Sequence, residues 1–119
     1  VHWALEQGFS RIVVVKTRPD DYRRDAAAGG KLARLVYGRK WPALAGSLAR
    51  SNADYNRLCD DIERLRAEGR VFVISPSHFM DIGRMESDLE KLGEWYWLGY
   101  RDAKNIMPDL KLYLQQEKG

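Results

Sequence analysis

Apolar residues fall along this chain in two patterns, short continuous runs and stripes at spacings of three and four. The runs are Ile12 to Val15 and Val71 to Ile74. The second sits within RVFVISPS, Arg70 to Ser77, bounded by Gly69 and Pro76, which suits a strand covered on both faces. Stripes of helical spacing fill the interval between the runs. Two buried strands joined by helices form the unit of a parallel sheet, so the predicted fold class is α/β: a fragment of a larger, mainly parallel sheet with a helical C-terminal layer.

Taken in order, Val1 to Gln7 reads as the end of a helix stopped by Gly8, and a helix opening without a cap predicts further sequence upstream. The strand Arg11 to Thr17 runs into KTRPDDYRR, where Pro19 ends ladder pairing and Asp20 and Asp21 favour a turn. Ligands of parallel sheets collect beyond the carboxyl ends of strands, making Arg18, Asp20, Asp21, Tyr22 and Arg23 positional candidates; a plain polar connector accounts for the same residues. A pliable AAAGG leads into a helix from Lys31 to about Tyr37, with Leu32, Leu35 and Val36 as its buried face and Gly38 as its break. Pro42 opens the next helix, carrying Leu44, Ala45 and Leu48. Ser51 or Asn52 is expected to cap a further one, Ala53 to Glu68, striped by Tyr55, Leu58, Cys59, Ile62 and Leu65 and ended by Gly69.

Beyond the central strand lies the loop SPSHFMDIGRMES. Ser87 or Asp88 caps the last long helix, with Glu90 placed to complete a capping box. Met85, Leu89, Leu92, Tyr96, Tyr100, Ala103 and Met107 form the expected core stripe, and Pro108 begins a final helix before the polar tail QQEKG. Trp97 falls on the opposite side with Arg101 and Lys104, facing either solvent or a partner, and a large indole there favours the partner.

Composition changes this picture little. At 119 residues with 45% hydrophobic content the chain can build a core without staples, and its apolar runs are far shorter than the ~20 residues that span a bilayer. One cysteine, Cys59, excludes an internal disulfide and is read as a core residue. Charge is uneven: residues 1–50 hold ten Lys/Arg and four Asp/Glu, the remainder ten and thirteen. The basic half, with Arg18, Arg23, Arg24, Lys31, Arg34, Arg39 and Lys40, has the density to meet lipid phosphates, or is a solvated face; nucleic acid is not expected, because no recognition motif accompanies it.

Catalytic chemistry is scarce. No G-x-S-x-G, phosphate-binding glycine loop or metal-spaced Cys/His set occurs, so no catalytic residue, cofactor or metal is assigned. Ser75, Ser77 and His78 invite a nucleophile-and-base reading, yet no third orienting group is evident. His2 reads as surface or packing.

Four stretches carry a family resemblance: HWALEQGFSRIVVVKTRP at His2 to Pro19, YGRKWPALAGSLARSNADYN at Tyr37 to Asn56, EGRVFVISPS at Glu68 to Ser77 and LGYRDAKNIMPDL at Leu98 to Leu110. With them the chain resembles the C-terminal portion of bacterial patatin-like phospholipases, in the subgroup with an extra C-terminal helical region. The resemblance implies a parent that hydrolyses acyl esters with a serine–aspartate dyad lying upstream of Val1. Residues 1–30 would then end the catalytic α/β domain and 31–119 form the C-terminal region. By the same implication the segment is inactive alone, completing the sheet and shaping entry of a lipid or other acyl-ester substrate. Arg18, Arg23 and Arg24 are the expected contact for an anionic headgroup, and the location is cytoplasmic with peripheral membrane contact. The alternative is a non-catalytic module that binds a partner or self-associates through Trp97.

Overall fold

The computed structural model describes residues 1–83 and 85–116; Arg84 of the predicted loop and residues 117–119 of the predicted polar tail lie outside the described residues. The fold mixes helix with one small parallel sheet, in the order α1 (His2–Glu6), β1 (Ile12–Val15), α2 (Gly30–Tyr37), α3 (Pro42–Ala67), β2 (Val71–Ile74) and α4 (Leu89–Gln115). It divides into two compact units, one formed by Val1–Asp20 with Leu65–Gly119 and the other by Asp21–Arg64.

In the first unit β1 and β2 pair in parallel, Ile12 opposite Val71 and Val15 opposite Ile74, and Lys16 N extends the ladder to Ile74 O at 2.8 Å. Val71, Val73 and Ile12 are buried, and Phe72 and Ile74 half-buried. The expected cover on both faces therefore holds better for β2 than for β1, whose Val13 and Val15 are 38% and 71% exposed. The sheet has two strands, and α4 lies against β2.

Glycines end two helices by the same device. Gly8 and Gly69 adopt φ of 78° and 71°, conformations that cost an L side chain but not glycine. Behind Gly69, its own N–H reaches Arg66 O and that of Arg70 reaches Leu65 O, the paired bonds of a Schellman closure. Gly8 and Phe9 repeat the pattern on Leu5 and Ala4.

Tyr113 joins α4 to the start of both strands. Its hydroxyl accepts from Ile12 N at 3.2 Å and lies 3.3 Å from Ile12 O and 3.2 Å from Arg70 O, donating its single proton to one of them at a time. The ring stacks on Phe72 at 5.4 Å between centroids, and Arg11 both covers the ring and donates to Tyr113 O at 2.8 Å.

In the second unit, Ala33 of α2 and Ala45, Cys59 and Ile62 of α3 are buried. Arg24 N and O bond the Asn56 side chain, tying the connector to α3.

Several expected boundaries and faces are corrected. Residues 42–67 form one helix rather than two, because neither Ser51 nor Asn52 caps a new start. Ser51 Oγ bonds back to Leu48 O, and Asn52 Nδ2 donates to Asp25 O and Ala28 O, so both polar side chains are satisfied without breaking the helix. Pro108 lies inside α4 rather than opening a helix, with Leu98 buried before it and Tyr113 after it. Asp88 is the α4 cap, accepting from Glu90 N and Lys91 N; Glu90 is thus one place short of the capping-box position, and Glu86 Oε1 accepts from Asp88 N instead. The expected core face of α2 is exposed, with Leu32 at 64% and Leu35 at 83%. So is most of the α4 stripe, including Met85, Leu89, Tyr96 and Tyr100.

Candidate functional site

Two parallel strands end side by side at Val15 and Ile74, the position where open α/β sheets collect ligands. Helix α4 brings an aromatic wall to that edge. Val15, Ile74, Pro76, Trp95, Tyr96 and Tyr100 line an apolar groove of about 430 Å³, to whose wall Gly99 and Ala103 add little side chain. Such a lining accepts a hydrocarbon more readily than a polar group, since few donors or acceptors face into it.

Polar groups gather at one margin. Lys16 follows β1 and its largely buried ammonium meets Asp20 at 3.1 Å, while Arg66 from the end of α3 reaches the other Asp20 oxygen at 2.8 Å. Burial pushes the Asp20 carboxyl up, but hydrogen bonds from Lys16, Arg66 and Ser75, with the Lys16 charge, outweigh it and hold the group below the usual carboxylate range. The cluster clamps the ends of β1, β2 and α3, which is a positioning role.

Arg18 lies over the Phe79 ring, 5.7 Å from its centroid, beside a small cavity of about 90 Å³. Arg23 and Arg24 belong to the other unit. Arg23 meets Asp60 at 2.9 Å and donates to Tyr22 O, and the Asp60 carboxylate raises the hold on its proton. Arg24 stacks 4.2 Å above Tyr55. Burial and a hydrogen bond with Cys59 push the Tyr55 hydroxyl up, against the opposing Arg24 charge. Each of the three arginines has a partner within its own unit.

Ser77 and His78 come closer than their adjacency suggests, with Oγ 3.1 Å from Nδ1. The nearby carboxylate, Asp102, accepts from Ser77 N at 2.8 Å and thus fixes the loop backbone. No group among the described residues has been brought to orient the imidazole as a triad requires. His78 instead borders a second, larger cleft of about 750 Å³ with Met80, Glu90, Glu94, Trp97 and Arg101. Trp97 is 57% exposed there and edge-stacked on both Tyr96 and Tyr100, so the aromatic run serves two openings. Among the described residues no group of three or more His, Cys, Asp or Glu is placed to hold a metal, and no helix is long and apolar enough to cross a membrane.

The Tyr113 anchor and the Lys16–Asp20–Arg66 clamp were not anticipated from the sequence. Lys16 and Asp20, opposite charges four apart past a strand, are the one local signal; Arg66 and Tyr113 act across 46 and 101 positions, which no local pattern reveals.

Residues 41–115 match the family described as Domain of unknown function (DUF6363), and the chain belongs to that family. No curated protein and no solved structure matches it.

Proposed function

We propose that this chain is the C-terminal, non-catalytic region of a patatin-like serine acyl hydrolase, in which it extends the sheet and lines the path of the substrate's acyl chain. The observation that carries the reading is the apolar, aromatic-walled groove at the carboxyl ends of β1 and β2, where α/β folds bind ligands. The four stretches resembling patatin-like phospholipases support it. So does the two-stranded sheet, in which β1 pairs with β2 alone among the described residues and leaves an edge that suits continuation of a larger sheet. Helix α4 then forms the C-terminal helical layer, and the serine–aspartate dyad comes from an upstream part of the same protein. The substrate class is a lipid or other acyl ester.

The test is hydrolysis of nitrophenyl esters of graded chain length by the whole encoded protein. Cleavage is expected, and Ala103→Phe, which narrows the groove, should lower kcat/KM for long chains while sparing a butyrate. Absence of ester hydrolysis, or equal loss at every chain length, would refute the reading.

A second reading rests on Trp97: its exposed indole edge-stacked on two tyrosines is a surface suited to a partner or a second copy. Concentration-dependent sedimentation abolished by Trp97→Ala supports it. A strictly monomeric chain rejects it.

A further inference from the structure

We infer that α2 and the turn after it form an interfacial docking surface for an anionic lipid bilayer. The inference does not rest on the hydrolase reading and involves residues of the second unit alone.

Helix α2 sits on its unit by its smallest side chain. Ala33 is buried, whereas Leu32, Leu35 and Val36 are 64%, 83% and 57% exposed. At 100° per residue those three share an arc of about 100°. The helix therefore turns its apolar face outward. Trp41 at 49%, with Leu44 and Leu48 at the start of α3, extends the exposed apolar area of this unit. A cavity of about 360 Å³ lined by Leu32, Val36 and Leu48 shows that the patch is not filled from within the unit.

Charge identifies the occupant. Between Asp25 and Asp54 the sequence contains no acidic residue and five basic ones: Lys31, Arg34, Arg39, Lys40 and Arg50. All five are exposed. Lys31 flanks Leu35 on the helical wheel, Arg39 and Lys40 follow the helix end, and Lys40 lies 4.8 Å from the Trp41 ring centroid. A short helix with leucines on one side, cations along the border and an indole at its end has the composition of a segment lying in a headgroup layer. Polyanions such as nucleic acid would use the cations but leave the leucines wet. A second copy would bring like charge against like charge. An anionic bilayer uses both features, hydrocarbon for the leucines and phosphates for the cations.

The experiment is co-sedimentation of the intact chain with unilamellar vesicles of phosphatidylcholine, with and without phosphatidylglycerol. Binding is expected only with the anionic lipid and should weaken as salt is raised. Leu35→Asp should weaken it by roughly tenfold or more, the loss of one buried leucine. Arg39→Glu/Lys40→Glu, in the turn outside the helix, should weaken it by at least about fivefold per cation. Circular dichroism confirms that each variant is folded, and the turn variant provides a readout that does not depend on α2. Equal binding to neutral vesicles, or full binding by Leu35→Asp, overturns the proposal. Displacement by duplex DNA with Leu35→Asp unaffected assigns the cations to nucleic acid and overturns it too. So does a vesicle-independent dimer dissolved by Leu35→Asp, which would make a second copy the occupant.

Discussion

Replacing Tyr113 by Phe removes one oxygen and keeps the ring, which isolates the hydroxyl as the pin between α4 and the sheet. Ile12 N donates to that oxygen at 3.2 Å in a buried position. Without it the amide has no partner of equal geometry, and a stranded buried donor costs about 1–3 kcal/mol. The carbonyls of Ile12 and Arg70 lose a shared proton as well, a smaller loss because a carbonyl tolerates under-satisfaction better. Contacts of the ring with Phe72 and Arg11 survive. Tyr113→Phe should therefore destabilise by about 1–3 kcal/mol, whereas Tyr113→Ala, which also empties the ring's site, should cost about 3–5. Urea unfolding followed by circular dichroism reads the difference, and Tm should fall by about 4 °C or more per kcal/mol in a domain of this size. Amide exchange at Ile12 gives an independent readout: the Phe variant should lose protection there before it loses it in the middle of α3. If the variant matches the parent in stability and Ile12 exchanges as slowly as before, the hydroxyl does not hold the strands and the assignment of the anchor fails.

Two further perturbations test the clamp and the helix stop. Because Asp20 is held below the usual carboxylate range, its contribution is complete above about pH 5 and is lost as pH falls through its folded value; Asp20→Asn should flatten the acid limb of a stability–pH curve, and an unchanged limb would place the pH dependence elsewhere. Gly69→Ala puts a Cβ into open space at φ 71°, so only the backbone term of about 1–2 kcal/mol is lost; Gly69→Asn should lose less, and equal stability of all three proteins would show that the stop needs no left-handed residue.

The parts of the fold visible in the sequence are those with a local cause. Two β-branched runs became the two strands, Gly8 and Gly69 became helix stops, and Cys59, Ile62 and Leu65 became buried on α3, each a pattern set within a few residues. Ser51, Asn52 and Pro108 carry local interruption signals that the helices override. A side chain that finds a carbonyl, as Asn52 does across 24 and 27 positions, removes the reason to end a helix. At the candidate site, the carboxyl-end position was legible from strand order and a following turn. The groove itself was not, since it requires α4 to lay Trp95, Tyr96 and Tyr100 beside Val15 and Ile74.

The exposed stripes of α2 and α4 separate what periodicity means from what it is usually taken to mean. Spacings of three and four put Leu32, Leu35 and Val36 on one face, and Leu89, Leu92, Tyr96 and Tyr100 on another, but the geometry is silent about what each face meets. In α3 the stripe meets the chain's own core, and Leu65 is 1% exposed. In α2 the same signal ends with Leu35 at 83%, while the helix is held by Ala33, a residue no amphipathic pattern singles out. Burying three such side chains is worth about 1.5–3 kcal/mol each, a considerable sum for a domain to leave in water. The two stripes favour different surroundings: α2 is bordered by cations in a stretch with no acid between Asp25 and Asp54, whereas Leu89, Tyr96 and Tyr100 share their stretch with Glu90, Glu94 and Arg101. The first suits an anionic lipid surface, and the second, with charges of both signs, suits protein.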